Sequence, residues 1–472
     1  TLNNLAQAVA NASTEEARTA AYMFLQGKQP DGADDPEAEN YLDVDNYIDY
    51  MLVNLYSGNV DWPHRNWFAS RQRGPDSTGF KFHSWDMESS LNLLSNVNTN
   101  RTGAAGHVAE PDNDLSASEE FRLRFADRAH RALFNGGALT TESTVARYQA
   151  ILAEIDQAIV AESARWGDMH RSLPYTRADW ESEASRVIDA FRTPRAAVLL
   201  SQLRSAGLYS PIDAPTFNQR GGPVASGFEV ELVHPNGAGT IYYTNDGTDP
   251  RRIGGAVATA AVAYSSPIPI AAGTTITTRV YSGGQWSARD EATFTVAPLA
   301  SPANLRISEL NYNPHEPNLR PEFGEPNLNN DDFEFIELRN TGAETIDLAG
   351  VRFVEVVVDA DNQGMVYTFG QQTLAPGEAI LVVEDKAAFE SRYGPGRRIA
   401  GEYSGRLANG GETLTRLAAD GAVIQQFAYH DAWHPRTDGV GSSLEVVDLE
   451  GDYGSPSNWR ASAAFGGTPG AA

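Results

Sequence analysis

The chain has no cysteine among its 472 residues, which excludes thiol catalysis, cysteine-ligated zinc and disulfide staples. Lysine is almost missing: Lys28, Lys81 and Lys386 are three of the 36 basic residues, so chemistry that needs a lysine has few candidates. Positive charge is scarce as a whole, with 62 acidic residues set against those 36 and a formal net charge of −26. A phosphate backbone needs Lys and Arg to displace its counterions, so nucleic acid and anionic membrane are excluded as non-specific partners. No apolar run reaches the roughly 18 residues of a transmembrane helix, so no membrane span is expected in this segment. No basic-then-apolar leader opens the chain either.

What remains is an acidic chain with ordinary core-forming content, 41% hydrophobic and 10% aromatic. Its length suggests about three domains. A composition rich in Thr, Gly and Asn and free of cysteine suits an extracellular or cell-surface bacterial protein, and the chain reads as part of a longer one.

The character of the sequence changes near residue 208. Before it, apolar residues recur at helical spacing, as Val145, Tyr148, Leu152, Ile155 and Ile159 do in "TESTVARYQAILAEIDQAIV", which puts them on one helical face. Trp180, Ala184, Val187, Ile188 and Phe191 form a second stripe, interrupted by "TP" at 193–194. Ser116 and Glu119 have the spacing of a capping box. In "DVDNYIDYMLVNLYSG", Ile48, Met51, Leu52 and Leu55 share a face, Asp43 can cap the start, and Gly58 suits the stop.

Beyond 208 the period becomes two. Phe228, Val230 and Leu232 alternate with Glu229 and Glu231, and Ile276 and Val280 keep the same parity. A Pro/Ala linker at 296–305 precedes a second β region, in which Asp420-Gly421 marks a tight hairpin turn. The expected architecture is multidomain: an α-rich lobe with a small β-hairpin, then two β-sandwiches.

Chemistry concentrates in "GNVDWPHRNWF", residues 58–68. Asp61 follows the helix stop, Asn66 lies five residues on, and "NWFAS" and "FKFHSW" read as the two strands of a hairpin joined by "RQRGPDSTG" and ending at Asp86. Helix, D-x4-N loop, hairpin, then Asp is the order of protein kinases. Phosphoryl transfer needs a carboxylate to take the hydroxyl proton, and an amide oxygen with a second carboxylate to hold magnesium. On that reading Asp61 is the base and Asn66 and Asp86 are metal ligands, with His64 or Glu88 assisting. The competing roles are an Asx-turn or cap for Asp61 and Asn66, a strand-end acid for Asp86, and a loop hydrogen-bonder for His64. Trp62, Trp67 and Trp85 are expected to be core anchors rather than a stacking platform. The acidic stretches "DGADDPEAE" and "NLNNDDFE" are weighed as calcium sites against solvated loops.

The stretch "DVDNYIDYMLVNLYSGNVDWPHRNWFASRQR…GFKFHSWDMESS" resembles the CotH (spore coat protein H) kinase family. The resemblance implies an atypical kinase-like C-lobe over residues 1–208 that uses ATP and Mg2+. Asp61 and Asp86 then match the family's catalytic and metal-binding Asp residues, with Asn66 beside them; joined to the reading of the residues, this takes Asp61 and His64 as catalytic, Asn66 and Asp86 as cofactor-binding, and Asn66, Asp86 and Glu88 as metal ligands. It also implies a nucleotide-covering lobe upstream, yet 60 residues precede Asp61 and Lys28 is their one lysine. That lobe is expected to lie outside this chain, and the chain alone to be inactive if so. "GTIYYTNDGTDPR" resembles a chitobiase C-terminal-like module, a fibronectin-type sandwich expected over 209–298. "LRISELNYNP", "DFEFIELRN" and "LAPGEAILVVED" resemble the lamin-tail domain, an immunoglobulin-like sandwich expected over 303–450, with a tail over 451–472.

The resulting expectation is a secreted or surface kinase acting on a protein phosphoacceptor. The alternatives are a cell-surface adhesion or structural protein with a degenerate kinase-like lobe, or an accessory protein that binds a surface polysaccharide.

Overall fold

The computed structural model describes residues 1–470 apart from 73, 75–76, 92–94, 170–171, 193, 318–327 and 359–360. Helices dominate up to residue 205 and strands thereafter. The chain forms two compact units. The first comprises Thr1–Arg220, Glu231–Pro267 and Thr275–Ala292, and the second Gly221–Val230, Ile268–Thr274 and Thr293–Ala472.

The first unit opens with α1 (Leu2–Asn11) and α2 (Glu15–Leu25), followed by α3 (Val44–Ser57) and the short α4 (Glu110–Leu115). α3 is bounded as its sequence predicts. Asp43 Oδ1 accepts from the Asn46 N–H at 3.0 Å, and Gly58 closes the helix at φ 64°. Ile48, Met51, Leu52 and Leu55 are buried in one core with Phe121 and Phe125 of α5 (Glu119–Leu133) and Leu199 and Leu203 of α8 (Arg195–Ser205).

The Ser116–Glu119 capping box does not form. Ser118 is the N-cap of α5 and makes no side-chain cap bond, while Ser116 Oγ donates to the Asn113 carbonyl. The Glu119 N–H instead donates to Glu15 Oε1 at 2.6 Å. The acceptor comes from α2, over a hundred residues away, and no local pattern encodes it.

α6 (Thr141–Trp166) and α7 (Arg177–Arg192) form on the predicted stripes and pack on each other. Only the start of the α6 stripe reaches the main core, through Val145 and Tyr148, while Ile155 stays over a third exposed. Of the "TP" break, Thr193 lies outside the described residues, and Pro194 is the N-cap of α8.

Strands 240–244 of the first unit pair antiparallel with 277–281 and with 262–263. Ile276 and Val280 are fully buried, as their parity predicts. The alternation at 228–232 forms two short strands, Glu229–Val230 and Leu232–Val233, rather than one. The Glu231 N–H between them donates to Asn218 Oδ1.

Among its described residues the second unit has two larger sheets beside shorter two-stranded ones. One has the strand order 399–402, 379–383, 335–340, 305–311, 444–446, 459–461, and the other 367–368, 352–354, 413–417, 423–428. Leu305, Ile307 and Ile336 of the first meet Phe353, Leu414 and Ile424 of the second in a shared core, the sandwich expected from the period of two. Gly421 takes φ 92° in the turn between 413–417 and 423–428. The Pro/Ala stretch is tied down: Asp347 donates its N–H to the Pro298 carbonyl, and Ala300 donates to the Asp347 carbonyl.

Candidate active site

The end of α3 sets the position of the loop that follows. A helix end leaves the carbonyls of its last turn without intrahelical donors; backbone N–H groups meet those of Asn54 and Ser57, and the Arg195 guanidinium meets those of Leu55 and Tyr56. Its Nε donates to the Tyr56 carbonyl at 2.6 Å, Nη2 to the Leu55 carbonyl, and Nη1 to the Val97 carbonyl at 2.7 Å. Burial pulls this guanidinium down to about 10, and a cation at a helix C-terminus also meets the negative end of the dipole. Asn59, fully buried, bridges Asn54 Oδ1 and the Asp61 N–H, both at 3.1 Å. Trp62 is fully buried, and its Nε1 donates to Tyr50 Oη at 2.6 Å.

From this base the loop presents Asp61. Its Oδ1 lies 3.3 Å from Arg65 Nε and 3.5 Å from His64 Nε2. Its Oδ2 accepts from Asn66 Nδ2 at 2.9 Å. The same amide nitrogen donates to the Asp86 carbonyl at 3.1 Å. Asn66 and Asp86 both adopt left-handed backbone, φ 61° and 49°, a conformation costly for most side chains and least so for Asn and Asp. Strain of this kind persists where the surroundings over-determine it, commonly at functional sites.

β1 (Trp67–Ser70) and β2 (Lys81–Ser84) join these residues, pairing from Trp67 with Ser84 to Ser70 with Lys81. The Trp85 N–H donates to the Asn66 carbonyl at 3.1 Å and closes the hairpin. Of the connecting "RQRGPDSTG", residues 73, 75 and 76 lie outside those described.

The structure thus brings Asp61, His64, Asn66 and Asp86 together within one loop and hairpin, with Glu88 beside Asp86. A hydrogen bond with Asp86 raises the Glu88 carboxyl above its usual range, and the charges of Asp86 and Asp61 add to the rise. Three carboxylates therefore crowd one place. Among the described residues no group of three or more His, Cys, Asp or Glu is arranged to hold a metal ion. Magnesium asks for less, one or two carboxylates with substrate phosphates completing its shell. Asp86, Glu88 and the Asn66 amide oxygen fit it in donor type, and the excess negative charge is what a divalent cation relieves.

The aromatic residues correct an expectation. Trp62 is the core anchor, but Trp67 is 36% and Trp85 63% exposed. Hairpin register decides this: Trp85 falls opposite Asn66 and shares a face with His83 and Phe68, whose rings stack at 4.6 Å. That exposed aromatic face adjoins Asn66 and Asp86. Arg65, Asn59 and Arg195 also belong to the site, beyond the residues expected from the sequence. Arg65 had a signal in its spacing four residues after Asp61, whereas Arg195 is 134 residues from that Asp and had none.

In the acidic stretch 31–39, Asp34 pairs with Lys28 at 2.8 Å and Asp31 and Asp35 accept from backbone N–H groups two residues on. The other stretch begins at Asn327, outside the described residues.

Comparison with known proteins places these features in families. Residues 9–199 match the CotH kinase protein model, 230–291 the Fn3-associated model and 298–431 the Lamin Tail Domain model, in the order read from the sequence. The middle match is to the Fn3-associated model rather than to a chitobiase module. No curated protein matches the chain. The crystal structure of a DUF4876 family protein from Bacteroides thetaiotaomicron aligns over 52% of this chain and 92% of that chain, at 10% identity. The two superimpose with a TM-score of 0.21. Residues 9–199 are thus similar to the CotH kinase family, and the stretches after them on the same chain are similar to the Fn3-associated and lamin-tail families.

Proposed function

We propose that the helical lobe is the catalytic part of a CotH-type protein kinase, transferring the γ-phosphoryl group of ATP to a protein hydroxyl. One observation carries the reading: the Asn66 side chain ties the Asp61 carboxyl to the Asp86 backbone, at 2.9 and 3.1 Å. Base and metal-binding acid are thereby held in register by a single amide.

In this mechanism Asp61 orients the acceptor hydroxyl and takes its proton as the oxygen forms the new bond to phosphorus and the ADP oxygen leaves. His64 and Arg65 hold the carboxylate from its other oxygen. Asp86, Glu88 and the Asn66 oxygen would hold Mg2+, which supplies charge neutralisation at the phosphates. The exposed face of Phe68, His83 and Trp85 offers a stacking surface for the nucleobase. The CotH and lamin-tail regions fit a secreted or surface protein, and no helix among the described residues is long and apolar enough to cross a membrane.

The test is transfer of radiolabel from ATP, with magnesium, to a mixed protein acceptor. Asp61→Asn is expected to lower the rate by ~10²–10⁴, and Asp86→Asn to lower it as far and to weaken magnesium binding in a direct titration. Transfer that survives in both variants would refute the assignment.

A further inference from the structure

At the opposite end of α3 from Asp61, the first unit encloses a cavity of about 300 Å³. Asp45, which lines it, precedes Ser57 by twelve residues, ~18 Å along a helix rising 1.5 Å per residue, so the cavity is separate from the site above. In a chain where acids far outnumber bases, its lining reverses the balance: five arginines face four carboxylates. Three of those arginines are engaged. Arg124 holds Asp45 with two bonds of 2.6 Å, Arg128 holds Asp49, and Arg220 holds Asp290 at 2.6 and 2.7 Å.

The other two are open. Arg131 is exposed and has no hydrogen-bond or ion-pair partner among the described residues. The Arg289 side chain, about a third exposed, has one ion pair among the described residues, with Glu291 at 3.8 Å, and its charge also helps to lower the Asp45 and Asp249 carboxyls. Guanidinium groups present a planar fork that matches carboxylate and phosphate oxygens in pairs. The remaining wall has fixed polar groups for orienting a ligand. His130, 7% exposed, is held through Nδ1 by Tyr209 Oη at 2.8 Å, and its Nε2 lies 3.6 Å from Asp290. A volume of this size admits a monosaccharide-sized molecule and little more.

We infer that this cavity is a second ligand site, taking a small polar molecule that bears a carboxylate or phosphate, with Arg131 and Arg289 as its anion clamp. The experiment titrates the whole chain calorimetrically with glucose 6-phosphate and, separately, with glucuronate; the preferred probe identifies which anion the clamp takes. Saturable binding of at least one is expected, weakened about tenfold or more in the Arg131→Gln/Arg289→Gln double variant and unaltered in Asp61→Asn. Both arginines are at the surface, so the double variant should unfold at the wild-type temperature. Saturable binding of neither probe, binding that the double variant retains, or binding that Asp61→Asn removes would each overturn the inference. The last outcome would place the probe at the candidate active site instead.

Discussion

The two units bury charge in opposite ways. In the first, carboxylates are buried against arginine. Arg279, 1% exposed, donates two bonds to Asp127 at 2.8 and 2.7 Å and two to Asp249 at 2.7 and 2.6 Å. Arg251 does the same for Glu120 at 2.8 and 2.9 Å. Burial pushes the Asp249 carboxyl up, but the Arg279 charge and its hydrogen bonds outweigh burial and hold it below the usual range. At Asp290 burial is likewise outweighed, by His130 and Arg220. In the second unit, the buried Glu309 and Glu334 face hydroxyls and backbone N–H groups instead. Glu309 accepts from the Thr468 N–H and hydroxyl, and burial pushes it up to about 7. Glu334, fully buried, accepts from Tyr403 Oη and the Leu407 N–H and rises to about 8. A counter-charge keeps a buried acid ionised; neutral donors leave desolvation in control and the acid holds its proton.

The largest expected effect tests the arginine side. Arg279→Met leaves Asp127 and Asp249 with backbone N–H donors but without their shared counter-charge, at a cost of about 3–5 kcal/mol. Urea unfolding should show the loss in the first unit's transition alone. An unmoved transition would mean that the network contributes nothing net.

The next effect tests the sign of the pH dependence. A raised folded pKa in an acid stabilises below the unfolded value, near 4.5, and that stability drains as pH rises through the folded value. The second unit should therefore weaken between pH 4.5 and about 8, the window of Glu309 and Glu334. Glu334→Gln, which mimics the protonated acid, should flatten the slope between pH 5 and 8 by about 3 kcal/mol. The depressed Asp249 and Asp290 work the other way: their contribution is present above pH 3.8 and lost as pH falls below it. Asp112 is the exception within the first unit, raised by burial to about 7, and Asp112→Asn should remove its share of any loss between pH 3.8 and 7. A second unit whose unfolding midpoint is flat across the window would break the contrast.

The smallest effect is common to both units. Asp43 caps α3, and Asp385 caps α9 (Lys386–Tyr393) by accepting from the Ala388 N–H at 2.9 Å. Asp43→Ala and Asp385→Ala should each cost about 1 kcal/mol, each visible only in the melting of its own unit.

Much of this was legible beforehand, because the relevant physics is local. The apolar stripe of α3 and its Asp43 and Gly58 ends depend on residues within four positions of one another. So does the Asp420-Gly421 turn, where glycine meets a positive φ. The D-x4-N spacing and the Asp after the hairpin were visible for the same reason. What local sequence does not encode was set at long range. Glu15 displaced the capping box at Ser116, Arg195 secured the α3 carbonyls, and hairpin register turned Trp85 outward although its composition suggested a core.

The sequence by itself determined the change from helices to strands near residue 208, where α3 begins and ends, and which residues supply carboxylate and amide groups to the loop at 58–68. Periodicity, caps and turn residues act over a few bonds and need no knowledge of the rest of the chain. Tertiary structure alone decided that one Asn66 amide would join Asp61 to Asp86, that Arg279 would find both of its aspartates, and that Glu334 would find none of the cations. Electrostatic and hydrogen-bond partners in a folded chain are chosen by proximity in space, and the charge state of a buried acid follows from that choice.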